Sequence, residues 1–361
     1  MTPRVTPRGR RFVEADITIG ELGEFGLIAR MAARMAARLP RGGRVIVGIG
    51  DDAAVLPAPD GRVVATTDLL VEGRHFRRDW SGPRDVGHKA AARSLADVAA
   101  MGGVPTALLV AFAAPPDLPV RWAEEFSAGL AAECARGGAA VVGGDVAQAT
   151  AITLAATALG DLQGRPPVTR AGARPGDVVA VAGTLGHSAA GLALLSRGRN
   201  APAELLAAHR RPMPPYDAGP QAALYGATAM IDVSDGLLAD LGHVAEASGV
   251  LIDVATHLLP VSRALTEAAE FSITAAAGSP PPPEVARSAG DAQAPGADTP
   301  LGWILTGGED HALAATFPPG TGLPGRWSVI GRVLPPGAGH RTGVLVDGKR
   351  RAMRGGWEHF R

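Results

Sequence analysis

The sequence predicts an α+β chain of two domains, and three observations carry that prediction. Short β-branched and apolar runs recur at Val45–Ile49, Val63–Thr67, Leu108–Phe112, Ala139–Val142 and Ile152–Leu159. Several are neighbours in sequence with no helix between them, which favours α+β over a doubly wound parallel sheet. At 361 residues the chain is long enough for two cores, and with few aromatics those cores are built from Ala, Val and Leu.

Taken in order, residues 1–15 form an extension expected to be disordered, Arg-rich over Met1–Arg11. Phe25, Ile28, Ala29, Ala32 and Met35 recur at helical spacing within Gly23–Leu39, and Pro40 follows. The spacing predicts further helices over Asp85–Met101, stopped by Gly102-Gly103, and over Val120–Cys134. The turn-rich passage Thr169–Asp177 places a domain boundary near residue 163, giving units 16–163 and 164–361. The second unit begins with the strand Val178–Ala182 and the helix Ser188–Leu195. It continues with the helix Leu237–Ala247 and the strand Val250–Val254, and structure resumes at Trp303–Leu305. Between about 275 and 300 the chain is rich in Pro, Gly and Ala, with four prolines in a row from Pro280 to Pro283, and reads as a flexible surface insertion.

Charge narrows the function classes. Lys plus Arg and Asp plus Glu number 35 each, so no global field points to nucleic acid or a membrane surface as partner. Lys89 and Lys349 are the only lysines, and no Gly-Lys-Ser/Thr ending of a phosphate-binding P-loop is present. The single cysteine, Cys134, excludes an intrachain disulfide and a Cys-based zinc site, and no Gly-x-Ser-x-Gly elbow occurs. No secretory signal or run of ~18 strongly apolar residues is visible, so the cytosol is the expected compartment.

What recurs is a carboxylate at the end of an apolar run. Asp51-Asp52 follow Gly48-Ile49-Gly50, Asp68 follows Thr66-Thr67, Asp145 follows Gly143-Gly144, and Asp232 and Asp235 flank Val233-Ser234. A turn explains Asp51-Asp52 or Gly143-Gly144-Asp145 alone, and a helix N-cap explains Ser234 or Asp235. Repetition without matching basic residues points instead to hard cations held by oxygen ligands such as Mg²⁺. Neighbours on a strand alternate in facing, but a twisted strand terminus would let Thr66, Thr67 and Asp68 reach one ion; a plain strand end explains the three as well. Asp97 falls in the last turns of its helix, where the macrodipole disfavours a carboxylate without a cation; Arg93 at i−4 is one partner and a metal another. The turn before Leu237 offers backbone N–H groups to a phosphate. Arg170 reads as a phosphate clamp or a solvated arginine, and His75, Glu309 and Trp357 as ligand contacts or structural residues.

In combination these segments resemble the thiamine-monophosphate kinase family, of the aminoimidazole ribonucleotide synthetase superfamily. The text that carries the resemblance is Gly23-Glu24-Phe25, Gly48-Ile49-Gly50-Asp51-Asp52-Ala53-Ala54, Thr66-Thr67-Asp68 through Phe76, and Ser94-Leu95-Ala96-Asp97 through Gly102. It continues with Gly143-Gly144-Asp145, Thr169-Arg170-Ala171-Gly172, Ile231-Asp232-Val233-Ser234-Asp235-Gly236 and Gly307-Gly308-Glu309-Asp310, in the family's order. The resemblance implies an antiparallel N-terminal domain that joins two subunits in a homodimer, and an α+β, sandwich-like C-terminal domain. It implies ATP-dependent phosphorylation of thiamine monophosphate to thiamine diphosphate, the last step of that cofactor's biosynthesis. Several Mg²⁺ ions are implied at Asp51, Thr66, Thr67, Asp68, Asp97, Asp145 and Asp232, with a further one at Asp235. Gly144, Asp145, Arg170 and Ser234 are implied to meet ATP, and His75, Glu309 and Trp357 to meet thiamine monophosphate. Two alternatives stand beside this: another ATP-dependent enzyme of the superfamily, or a non-catalytic nucleotide-binding relative. The selenophosphate-forming and hydrogenase-maturation relatives need cysteines that this chain lacks. One departure lies in the site itself, where His311-Ala312 replaces the family's usual Tyr-Glu.

Overall fold

A computed structural model describes residues 17–36, 45–46, 49, 53–275, 298–337 and 342–350. The first unit opens with α1 (Ile19–Leu22), whose Thr18 and Glu21 form a reciprocal capping box, and α2 (Glu24–Ala36). Then follow β1 (Val64–Val71), α3 (Pro83–Ala100), β2 (Val104–Ala114), α4 (Val120–Arg136), β3 (Ala140–Gln148) and β4 (Thr153–Asp161). The four strands form one sheet in the order β1-β4-β2-β3. Pairing is antiparallel except for β3, which returns through α4 to lie parallel to β2.

The second unit runs β5 (Val178–Ala182), α5 (His187–Ser196), α6 (Ala203–Arg210), α7 (Ala218–Leu224), β6 (Ala229–Val233), α8 (Leu237–Ser248), β7 (Leu251–Val254), α9 (Arg263–Ala275), α10 (Pro300–Thr306), β8 (Ala312–Phe317), β9 (Trp327–Leu334) and β10 (Gly343–Val346). Its strands form a six-stranded sheet, β10-β7-β9-β5-β8-β6, antiparallel except for the β10–β7 pair. The fold is α+β with two sheets.

Alternation along the strands decides which residues meet. In β5, Val179 and Val181 enter a core formed with α5, α6, α8, α9 and α10, whereas Ala180 and Ala182 enter a core shared with α3 and α4. On β6, Ala229, Ile231 and Val233 take the first core and Met230 the second. Asp232 therefore faces α3, buried at 4% exposure. In β1, Thr66, Asp68 and Leu70 form the more buried row, toward α3, and Ala65, Thr67 and Leu69 the exposed row. Helix α3 thus lies between β1, β2 and β4 on one side and β6 on the other.

Several expected boundaries shift. β1 continues four residues beyond Thr67, so Asp68 lies inside a strand rather than at its exit. β3 likewise runs through Gly143-Gly144-Asp145, which is strand and not turn; parallel pairing to β2 carries it on past the apolar run. Ala275 closes α9 and Pro300 opens α10, so the Pro-rich segment is bracketed by helices. The 1–15 extension, most of the 275–300 insertion and much of the Val45–Ile49 run lie outside the described residues. Helices α6, α7 and α9 and strands β8–β10 were not anticipated from the spacing.

Glycine sets how near α4 comes to α3. A Cβ on Gly87 would lie 2.1 Å from the Phe126 carbonyl oxygen, and one on Gly129 2.2 Å from the Arg84 oxygen. Both obstacles are backbone, so neither helix accommodates a methyl without moving. Gly87→Ala is expected to destabilise the fold by roughly 1–3 kcal/mol, as overpacking does. Urea unfolding measures it; an unchanged midpoint would show that α3 and α4 are free to separate.

Candidate functional site

Helix α3 carries the site's backbone of polar groups. Lys89, Arg93 and Asp97 stand four residues apart on one face, with Ser94 beside them. Pro83 at the first turn and the Asp85 carboxylate, which accepts from the Gly82 N–H at 2.9 Å, fix the helix start. The face so oriented meets β1, β6 and the turn before β8.

At its C-terminal end the stripe meets acids. Thr66 Oγ1 donates to Asp97 Oδ2 at 2.7 Å, and Ser94 Oγ donates to Asp68 Oδ2 at 2.9 Å. Burial pushes the Asp97 carboxyl up to about 7, and the neighbouring Asp232 and Asp68 charges push the same way. Asp232 Oδ2 lies 3.0 Å from His311 Nδ1. Asp240 extends the acid group: its Oδ2 accepts from the Asp235 and Gly236 N–H groups at 3.0 Å. Burial, then Asp232 and Asp235, push it to about 7.

At its N-terminal end the stripe meets Glu309. Lys89, buried, places Nζ 3.0 Å from Glu309 Oε2 and donates to the His75 carbonyl at 3.2 Å. Burial lowers the Lys89 ammonium and Glu309 counters it. Burial raises the Glu309 carboxyl, but Lys89, His209 and Arg93 outweigh that and hold it at about 2. His209 Nδ1 is 3.7 Å from Glu309 Oε2 and 3.2 Å from Ser188 Oγ; burial and the Lys89 charge depress it to about 3, so it is neutral. His75 Nδ1 accepts the Val71 N–H at 3.0 Å, which places its ring proton on Nε2.

The turn that delivers Glu309 and His311 is held in an unusual backbone. Both residues have left-handed φ, 63° and 53°, a conformation that costs L-residues about 1–2 kcal/mol. The Glu309 N–H donates to Ser234 O at 2.7 Å and the His311 N–H to Val233 O at 2.9 Å, so the turn is stitched to the end of β6. A Cβ at Gly308 would sit 2.4 Å from Ser234 O, which explains that glycine. The buried Asp310 accepts from the Gly186 and Ser188 N–H groups at 2.6 and 2.8 Å, anchoring the turn to the start of α5.

Thr66, Asp68, Asp97, Asp232, His75 and Glu309 are therefore brought to one stripe of α3, with Ser234 and Asp235 at the adjoining turn. Thr67 is not. It lies on the opposite face of β1, where Thr157 Oγ1 donates to its hydroxyl at 3.0 Å, because β1 stays regular where a twisted terminus was expected. Asp145 is exposed and accepts from the Val146 N–H at 2.9 Å. It is level with Ala111 on β2, and Ala111 with Ala155 on β4, on the sheet face that Thr67 shares. Gly144 has a packing reason, since a Cβ there would lie 2.0 Å from Val110 O. Arg170 is exposed in a loop whose carbonyl accepts from Ser248 Oγ at 2.9 Å. Asp51 and Trp357 lie outside the described residues. Sequence reasoning missed Lys89, Ser94, His209 and the His311–Asp232 contact, and it offered Arg93 to Asp97 where the fold gives it to Asp68 and Glu309. The scarcity of lysine was the one available signal, for Lys89.

The fit of this donor set to a metal follows from its chemistry. The donors are carboxylate and hydroxyl oxygens, suited to a hard divalent cation, and the burial and carboxylate repulsion that lift Asp97 are what a cation offsets. Among the described residues no group of three or more His, Cys, Asp or Glu side chains is placed to hold a metal ion. Mg²⁺ keeps several waters and takes few protein ligands.

Residues 50–162 match the family model of the AIR synthase related protein N-terminal domain, and residues 174–280 that of its C-terminal domain. A thiamine-monophosphate kinase of Mycobacterium tuberculosis is 46% identical over 358 residues, covering 99% of this chain and 97% of its own length. The solved structure of the thiamine-monophosphate kinase from Stenotrophomonas maltophilia superposes with a TM-score of 0.71 at 31% identity, over 90% of this chain and 96% of that one. A structure of AaThiL complexed with AMPPCP and TMP superposes with a TM-score of 0.70 at 35% identity, over 95% of this chain and 99% of that one. Two domain matches in order, and identity sustained along nearly the whole length, show that this chain belongs to the thiamine-monophosphate kinase family.

Proposed function

We propose that this protein transfers the γ-phosphoryl group of ATP to thiamine monophosphate, giving thiamine diphosphate and ADP. The observation that supports the reading is that the buried Asp97 carboxyl feels the charges of Asp232 and Asp68, beside the Lys89–Glu309 pair, in a chain of this family. The AMPPCP and TMP of the AaThiL complex are an ATP analogue and thiamine monophosphate, and they support both substrates.

The acceptor is a phosphate oxygen whose second ionisation lies near pKa ~6, so it is largely ionised at neutral pH and needs no catalytic base. The obstacle is charge: two unit charges ~4 Å apart repel by roughly 4 kcal/mol at an intermediate dielectric. Mg²⁺ would be held by Thr66, Asp68, Asp97 and Asp232, with Asp235 at the adjoining turn; the family resemblance adds Asp51, Thr67 and Asp145, of which Thr67 and Asp145 lie on the other face of the sheet. When bound, it supplies neutralising charge between the donor and acceptor phosphates. The chain's own residues orient the reactants. His311 sets the Asp232 carboxylate and Thr66 sets that of Asp97. Ser234, Gly144, Asp145 and Arg170 are assigned to the nucleotide, while the Asp235 and Gly236 N–H groups after Ser234 are taken by Asp240. His75, Glu309 and Trp357 are assigned to the thiamine moiety, and Lys89 keeps Glu309 ionised and in place. Transfer is direct, with no phosphorylated residue.

The same reading divides the chain near residue 163, which the matched segments ending at 162 and starting at 174 support. It also makes the protein a homodimer through the N-terminal sheet. In support, the face of that sheet away from α3 exposes Leu69 at 52%, and the small exposed Ala65 and Ala111 lie on the same face. No helix among the described residues is long and apolar enough to cross a membrane.

Mass spectrometry of thiamine monophosphate incubated with ATP, Mg²⁺ and the protein should reveal thiamine diphosphate. Asp97→Asn should lower the rate at least about a hundredfold while leaving the fold intact. An active Asn variant would remove Asp97 from the metal site. A second expectation follows from the raised carboxyls. Above pH 6.5 the unfolded chain's carboxylates have lost their protons, whereas native Asp97 and Asp240 retain theirs until about 7. The native state then binds more protons, so metal-free stability should fall as pH rises from 6.5 to 8. Millimolar Mg²⁺ should stabilise the protein more at pH 8 than at pH 6.5. Equal stabilisation at both, read from denaturation midpoints, would contradict the acid cluster as its seat.

A further inference from the structure

Arg93 is the one member of the α3 stripe that touches both ends of the site. Its Nη2 lies 3.6 Å from Asp68 Oδ1, in the acid cluster, and its Nη1 3.5 Å from Glu309 Oε1. Both distances are long for charge-assisted pairs, which close to about 2.7–2.9 Å. Its Nε is buried and has no partner among the described residues, while the side chain as a whole keeps 14% exposure. A guanidinium offers five N–H donors in a planar fork, and two stretched contacts leave most of that capacity unused.

The neighbouring cations are committed elsewhere. Lys89 is buried against Glu309 and the His75 carbonyl, and His209 is neutral. A phosphate dianion that crosses from the Glu309 end toward three carboxylates needs a positive group at the border, and Arg93 stands there. We propose that Arg93 receives the acceptor phosphate, forking onto two of its oxygens, while Asp68 and Glu309 hold the guanidinium in readiness from either side. The inference rests on reading the chain as a kinase acting on thiamine monophosphate. It makes Arg93 the residue that distinguishes the phosphorylated substrate from free thiamine. Lysine at this position would supply charge without the fork.

The test is calorimetric binding of thiamine monophosphate and of thiamine, in Mg²⁺ without nucleotide, to the unmodified protein and to R93M, R93K and R93Q. The unmodified protein should bind thiamine monophosphate more tightly than thiamine. In R93M that advantage should fall by about tenfold to a hundredfold, the worth of a lost charge-assisted contact, with thiamine affinity unchanged. R93K should keep part of it, and R93Q, shorter and uncharged but with two N–H donors, serves if R93M does not fold. Equal weakening toward both ligands would overturn the proposal, because Arg93 would then act only by arranging Glu309. Unaltered affinity for thiamine monophosphate would overturn it too. If the unmodified protein forms no thiamine diphosphate from ATP and thiamine monophosphate, the kinase reading fails; product formed alongside an unaffected R93M fails Arg93 alone.

Discussion

Repulsion among the carboxylates of Asp68, Asp97 and Asp232 is the constraint around which the site is arranged. They come from β1 in the first sheet, the last turns of α3, and the end of β6 in the second sheet. No local preference brings such groups together, and the C-terminal dipole of α3 makes Asp97 less comfortable still. The cores force the meeting. Alternation on β6 buries Ile231 and Val233 on one side and thereby turns Asp232 to the other. Alternation on β1 buries Leu70 and brings Thr66 and Asp68 to the same side as it.

Opposite chemistries are kept apart along α3 by spacing alone. Two turns separate Lys89 from Asp97, and Arg93 lies between. The Lys89 end holds a carboxylate fully ionised, since its neighbours keep Glu309 at about 2, whereas the Asp97 end holds one that resists ionisation up to about 7. One helix thus carries a committed ion pair and, about 12 Å away by helical rise, an acid group faced by Arg93 and His311. The left-handed turn at Glu309 and His311 supplies one residue to each end, which explains why its strain is retained and why Asp310 and β6 hold it so firmly.

How much of this was legible in the chain depends on the range of each interaction. Asp97 was readable because its conflict with the helix dipole is local. The order of acidic segments was readable because it is text. The sorting of Thr67 and Asp145 to the far sheet face was not, since β1 and β3 run on past the apolar runs that mark them, sustained by ladder pairing with β4 and β2. Lys89 and Arg93 find Glu309 220 and 216 residues away, and His311 finds Asp232 79 residues away, distances at which no spacing rule operates. The glycines at 87, 129 and 308 were visible as residues, but their reason, a facing backbone oxygen, exists only in the packed fold.

The acid group at the end of α3 is proposed as a seat for a divalent cation. Carbon-13 NMR of carboxyl-labelled aspartate, titrated with and without Mg²⁺, addresses it directly, with Asp97→Asn assigning the resonance. Without the ion, Asp97 should titrate near pH 7; with it, the carboxyl should stay ionised well below that. An Asp97 resonance that titrates identically in both conditions would contradict the claim.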